Sequence, residues 1–444
     1  MKKLSPPRVI VVPFAYPDYP PADIQHQIEC SLKMLENSGV QVFSTSTVKT
    51  PSDVPKALAM LRSVEFDLIV ALLVSWTEPP LVTATLKKYF SQPILLWSHT
   101  VYSEDGVGLT LGALPAAGVI REMLEEMEAH FWFMYGMPGD PGLEKTVQTA
   151  ARSAAAVRAL STSRVGLLGY ASMGMYTGTI DHTQLRHQLG PEIDHMDQYE
   201  IVARFNALAD DPSLDSVPQS TGWQLGEKVT TKDLRRSFRM LEVIRGLAQE
   251  RAWDALTVKC QYELSRTFGM APCLALSVLG DEMVTSCEGD LPLVVSQLIL
   301  HYLTGDPISY GDLHNSTDTH TLWGACGFAP LSFANGKPVI NKHTALYEGL
   351  LNSSPYKTGP VTLARLGARK GHFKLHIASG TAELPPAFHE VGCPTYPFVN
   401  VAMDGDVLAF MQNLSSQHYA IAYGNLLTEL QQVGQMLDVE VILT

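Results

Sequence analysis

The sequence predicts an α/β protein with two doubly wound, Rossmann/flavodoxin-like domains followed by a mostly antiparallel, β-rich C-terminal domain. Three observations predict it. Short, nearly continuous apolar runs alternate with helical patterns early in the chain, as expected for parallel strands covered on both faces. The same style resumes near Arg164. From about Gly305, strands of period two separated by Gly, Pro and Asn turns replace it.

Taken in order, RVIVVPF (Arg8 to Phe14), VQVFST (Val40 to Thr45), FDLIVALLV (Phe66 to Val74) and PILLWS (Pro93 to Ser98) read as buried parallel strands. The helical pattern from Ala22 to Gly39 lies between the first two, with Gly39 placed to end it in the left-handed conformation. In such a sheet the ligand end is the set of loops leaving the strand C-termini, here AYPDYPP, SWTEPP and SHTVYSEDG. The second α/β unit begins with RVGLLGY and the turn ASMGMYTG. It continues through a long helix (Thr231 to Trp253), the strand DALTVKC, a strand near MVTSC and an apolar helix from Leu291. GPVTLARLG and HFKLHIASG are antiparallel strands, and a helix (Gly424 to Leu437) and the strand EVILT close the chain. The expected domains are 1–162, 163–304 and 305–444.

Composition narrows the function classes. Thirty-two basic against 45 acidic residues give a net charge of −13, which argues against nonspecific binding to nucleic acid or to anionic membranes. The Lys pair at the N-terminus is followed by Pro6, Pro7 and Arg8, which interrupt a secretory apolar segment. Leu291 to Leu303 is too short to span a bilayer. Six scattered cysteines (Cys30, Cys260, Cys273, Cys287, Cys326 and Cys393) without a CxxC pair fit reduced thiols and a cytoplasmic location. PFAYPDYPP stands where a dinucleotide fingerprint would follow the first strand, and no P-loop, HExxH or GxSxG pattern occurs. Chemistry must come from side chains or from a metal.

TSCEGDLPLVV (Thr285 to Val295) carries two acids before an apolar run. Asp290, followed by Leu291 and Pro292, reads as a helix N-cap, so Asp290→Asn is expected to spare most activity. Capping leaves Glu288 unexplained, at a strand-to-helix turn where α/β sites form. A second cluster, Asp306, Asp312, His314, Asp318 and His320, offers oxygen and imidazole donors suited to Mn²⁺, Mg²⁺ or Zn²⁺, though its acids also suit turns. His418 opens an alternating strand, the usual place of a structural histidine.

The ordered blocks VKCQYEL, APCLALSVL, SCEGDLP, GDL, LWGACGFAP, GPVTLARL and QHYAIAYGNLLTELQQVGQMLDVEV resemble the L-fucose isomerase / L-arabinose isomerase superfamily. The likeness is strongest from about Val258 to Pro330 and from Gly359 onward. It implies a metal-dependent aldose–ketose isomerase working through a cis-enediol, with Mn²⁺ or another divalent cation held by Glu288, Asp312 and His418. Glu288 and Asp312 are then the catalytic carboxylates, one removing the C2 proton and the other managing transfers among O1, O2 and C1. Gln261, Met173 and Trp76 match positions that approach the sugar. A homo-oligomer, trimer or hexamer, is implied too, with sites at subunit interfaces closed by loops of the N-terminal domain. The chain departs from the arabinose branch at Gly324-Ala325-Cys326, where that branch has a histidine ligand, and a thiol suits Mn²⁺ poorly. The basic run LARLGARKGHFK (Leu363 to Lys374) reads as a solvated strand face or as a site for a charged sugar. A non-catalytic sugar-binding protein, and a metal-dependent epimerase or lyase sharing the enediolate, remain alternatives.

Overall fold

The structure, a computed structural model, describes residues 5–104, 106–209, 222–343, 348–387 and 396–444. Cys393 and the N-terminal Lys pair lie outside them. The chain divides into two compact units, one ending at Arg158 and one running from Ala159 to Thr444.

The first unit is built on a parallel sheet. Strands β1 (Arg8–Phe14), β2 (Gln41–Ser44), β3 (Leu68–Leu73), β4 (Ile94–Ser98) and β5 (Phe131–Tyr135) align in the order β2-β1-β3-β4-β5. Helices α1 (Pro21–Asn37), α2 (Val54–Ser63), α3 (Pro79–Leu86), α4 (Ala113–Glu126) and α5 (Leu143–Ser161) connect or follow them. Every residue of β3 and β4 is buried, which is why these strands read as unbroken apolar runs. Gly39 ends α1 with φ +77°, as expected of a left-handed helix stop. Strand β5 is a finding beyond the sequence reading: FWFMY is only half-buried and lacks the fully apolar signature.

The second unit holds both remaining layers. A four-stranded parallel sheet contains β6 (Arg164–Leu168), β7 (Glu192–Met196), β8 (Ala255–Val258) and β9 (Val284–Cys287), ordered β9-β8-β6-β7. Helix α6 (Thr231–Glu250) precedes β8 and begins with a capping box between Thr230 and Asp233. Strand β7, EIDHM, is mostly polar and has no fully buried position, so its sequence did not announce it.

The C-terminal strands are β10 (Ser309–Ser316), β11 (His320–Ala325), β12 (Gly359–Arg369), β13 (His372–Glu383), β14 (Tyr396–Met403), β15 (His418–Tyr423) and, after helix α8 (Leu427–Met436), β16 (Glu440–Leu443). Their order is β12-β15-β10-β11-β14-β13-β16, and β12 also pairs with β13 along their length. The ladder therefore closes on itself as a six-stranded antiparallel barrel, with β16 parallel on β13. Closure removes the edges that would otherwise invite pairing with other chains. Among the described residues no helix is long and apolar enough to cross a membrane.

Helix α7 (Leu291–Thr304) joins the two layers, packing on β8 and β9 and also on β12 and β15. A helix apolar on all sides belongs in a core, and α7 is buried along almost its whole length. Its buried polar side chains tie it to its neighbours: Ser296 accepts from the Leu366 amide, and the Gln297 amide donates to the carbonyls of Thr285 and Ile308.

In the first unit, His99 follows β4, is buried, and shares a 2.9 Å hydrogen bond with Ser31. Burial holds its pKa down at about 4. The folded state therefore requires the neutral ring; its contribution is complete above the unfolded value of about 6.5 and is lost as pH falls from there toward 4. His99→Gln is expected to flatten the loss of stability across that window, by up to about 3 kcal/mol, measured as urea midpoints at pH 7, 5.5 and 4.5. An unchanged pH slope would remove His99 from this role.

Candidate functional site

The site grows from the turn Cys287-Glu288-Gly289-Asp290 between β9 and α7. Glu288 has φ 67° and Gly289 φ 65°. A side chain at Gly289 would meet the Tyr170 carbonyl oxygen at 2.1 Å, so glycine is required by the close approach of the loop after β6. Glu288 adopts the same left-handed backbone without that freedom, a strain that persists only where surrounding contacts impose it. Its carbonyl accepts a 2.7 Å bond from the Ser172 amide. The Glu288 carboxylate is 3% exposed. Its Oε1 accepts from the Gln261 amide at 2.8 Å, and the Cys326 thiol donates to the same atom at 3.4 Å.

Asp312 and His418 arrive from the barrel. They are directly opposed residues on the antiparallel neighbours β10 and β15, which is how positions more than a hundred residues apart converge. His418 Nε2 lies 3.0 Å from Asp312 Oδ1 and 3.5 Å from Glu288 Oε2. This nitrogen is buried and makes no hydrogen bond. Nδ1, by contrast, is tied to Asp290 Oδ2 at 2.8 Å.

Asp290 is the residue whose reading the structure changes most. Its Oδ1 accepts the Leu293 amide at 3.0 Å, which is the expected N-cap. Its Oδ2 meets Arg365 Nη1 at 2.9 Å as well as the imidazole. The cap is therefore also the orienting partner of His418, and the expectation that Asp290→Asn would be nearly harmless is withdrawn. Arg365, 1% exposed on β12, also donates to the Thr177 carbonyl at 2.6 Å. The sequence carried one usable signal for this network: an arginine at an inward-facing strand position requires a buried carboxylate.

Electrostatics follow from this packing. Burial, the neighbouring Cys326 and Asp312 push the Glu288 carboxyl well up. Burial alone would raise Asp290 too, but Arg365 and His418 hold it at about 2. Burial would lower His418, yet Asp312, Asp290 and Glu288 together raise it well above its ordinary value. Three carboxylates thus gather positive charge at one point.

That point fits a divalent cation. Two carboxylate oxygens flank a buried imidazole nitrogen without a hydrogen bond, and the other ring nitrogen is held by a carboxylate, the arrangement that fixes a metal-binding tautomer. Oxygen donors with one imidazole suit Mn²⁺ or Mg²⁺ and admit Zn²⁺.

The remaining expected residues divide. Gln261 is buried against Glu288. Met173 lies in the loop after β6 with φ 50° and its side chain half exposed; the same loop supplies Ser172 to the Glu288 carbonyl and Thr177 to Arg365. Trp76 belongs to the first unit, after β3, where its amide bonds the Leu111 carbonyl at 2.7 Å and its ring packs on that unit's core. Of the second acid cluster only Asp312 reaches Glu288 and His418. The Asp306 carbonyl pairs with His301, and His320 lies near Glu383 at 3.4 Å. In the basic run, Arg365 is committed to Asp290, while Arg369 and Lys370 sit exposed at the turn between β12 and β13. No sequence motif marks Lys259, just after β8; its buried ammonium bonds the Tyr170 hydroxyl at 2.8 Å and pairs with Glu263.

Residues 352–444 match the family "L-fucose isomerase, C-terminal domain", a span that includes β12 to β16 and His418. The chain is also 23% identical over 414 residues to two proteins named sulfoquinovose isomerase, from Priestia aryabhattai and Priestia megaterium, with 91% of each chain covered. The C-terminal match and these relatives agree with the order of the motifs: the C-terminal domain is that of the L-fucose isomerase family, and the chain is an isomerase similar to fucose-isomerase-like enzymes.

Proposed function

We propose that the protein is a metal-dependent aldose–ketose isomerase that works through a cis-enediol. The observation that carries this reading is the His418 Nε2 atom, buried without a hydrogen bond, between Glu288 Oε2 and Asp312 Oδ1. Glu288, Asp312 and His418 would hold the cation, with Asp290 fixing the imidazole. When bound, the cation supplies charge stabilisation for the developing enediolate.

The chain's own residues account for the proton movements. Glu288, kept out of water and with its carboxyl pushed up by burial, is placed to take and return a proton. It removes the proton from C2 while O1 becomes protonated, giving the enediol. Return of a proton to C1 with loss of the O2 proton completes the ketose. Asp312, less enclosed than Glu288, serves the transfers between oxygens. Gln261 fixes Glu288 Oε1 and leaves its own Oε1 without a hydrogen bond, ready to accept from a sugar hydroxyl.

A sulfonated aldose is the proposed substrate class, on the strength of the two relatives named for sulfoquinovose. The resemblance extends the proposal to a homo-oligomer, a trimer or hexamer, in a cytoplasmic setting; sedimentation velocity tests the assembly. Two doubly wound α/β domains remain the proposed architecture for the parallel sheets.

Incubation of the Mn²⁺-loaded protein with sulfoquinovose and neutral aldoses in D₂O, followed by NMR, tests the reaction. Ketose formation with deuterium at the transferred position is expected; inversion at C2 without ketose would establish an epimerase instead. Glu288→Gln should lower kcat by about 10²-fold or more.

Asp290→Asn should weaken Mn²⁺ binding by about 10- to 100-fold in calorimetry, the range for loss of a histidine's carboxylate partner. Arg365→Leu leaves Asp290 buried without its guanidinium and should cost about 3–5 kcal/mol of stability in urea titrations. A stability loss below 1 kcal/mol would show that the pair is dispensable to the fold.

A further inference from the structure

Cys260, Cys287 and Glu288 bring three potential ligand atoms within 4.8 Å of one another, and all three residues are buried. We propose that these residues, with Cys326 alongside, form a second cation site selective for thiophilic divalent ions of the Zn²⁺ class.

The fold puts the donors together. β8 and β9 are adjacent parallel strands with Val258 opposite Cys287, so Cys260, two residues past Val258, leaves β8 beside the end of β9. Glu288 follows Cys287 directly. Cys326 enters from the end of β11, its sulfur 3.4 Å from Glu288 Oε1. Cys287 also contacts the Tyr310 hydroxyl at 2.6 Å. Cys273 stands apart from the ligand set, bonded to the Cys326 carbonyl and to His343.

A lone buried thiol is ordinary core material, a small hydrophobe. Here several thiols converge on a buried carboxylate. Zn–S bonds of 2.3 Å in a tetrahedron place sulfurs about 3.8 Å apart, so closing the set needs inward shifts on the order of 1 Å or less. Thiolates select Zn²⁺ and its heavier relatives over Mn²⁺ and Mg²⁺. Binding deprotonates Cys260 and Cys287, and two protons leave for each ion bound. Glu288 contributes to this set and to the set with Asp312 and His418. If the isomerase reading holds, occupation of the thiol set withdraws Glu288 from the reaction and Zn²⁺ inhibits the Mn²⁺-loaded enzyme. The binding site itself does not depend on that reading.

The test uses the full chain, freed of metal under reducing conditions and titrated with Cd²⁺, whose bonds to thiolate absorb in the ultraviolet. A thiolate-to-cadmium band saturating at one ion per chain is expected, with release of two protons recorded by pH-stat. Cys260→Ser and Cys287→Ser should each weaken that binding by at least about 10-fold, while Cys30→Ser in the first unit leaves the band unchanged. X-ray absorption of the Zn²⁺-loaded wild type should show two or more sulfur neighbours at about 2.3 Å, a measurement that stands even if a serine variant fails to fold. Only oxygen and nitrogen neighbours, or a band indifferent to both serine variants, would overturn the proposal. None of these readouts involves turnover, so an inactive protein that shows the band overturns the isomerase reading alone.

Discussion

The buried ion network Arg365–Asp290–His418 is the constraint on which the rest of the site depends. Asp290 is fully enclosed at the N-terminus of α7 and accepts from an amide, a guanidinium and an imidazole at once. Burying a carboxylate costs several kcal/mol unless it is paired and hydrogen-bonded, and here each oxygen is used. One residue thereby starts the central helix, locks the barrel to the parallel sheet through Arg365, and sets the tautomer of His418. Stability and chemistry are tied to the same atoms.

The strained turn gains its meaning from that network. Glu288 and Gly289 in the left-handed region let the chain drop from β9 into α7 over a very short distance, with the loop after β6 pressed against the turn. The strain is offset by the Ser172 bond to the Glu288 carbonyl and by the cap that follows. The result is a carboxylate aimed into a water-poor space between the sheet and the barrel, where its interactions with His418 and Asp312 are poorly screened.

The C-terminal barrel does two jobs with one register. Antiparallel pairing places Asp312 directly across from His418, a spacing fixed by backbone hydrogen bonds rather than by flexible side chains. Sites carried on strands hold their geometry better than sites on loops. Of Glu288, Asp312 and His418, the family match over residues 352–444 covers only His418; Asp312 lies on β10 of the same barrel, and Glu288 comes from the turn after β9 of the parallel sheet.

Local physics made much of this legible in advance. The continuous apolar runs of β1, β3 and β4, the left-handed stop at Gly39 and the cap at Asp290 each follow from neighbouring residues alone, and each stands in the structure. The half-polar strands β5 and β7 escaped because their burial is set by sheet order, which no local pattern records. The same divide runs through the site. Capping left Glu288 conspicuous, and motif order supplied Asp312 and His418. The second duty of Asp290, the role of Arg365 and the gathering of Cys260, Cys287 and Cys326 around one carboxylate were decided only by tertiary structure. The physical reason is range: caps, turns and periodicity act over a few residues, whereas a buried charge finds its partners across strands that meet only when the barrel closes on the sheet.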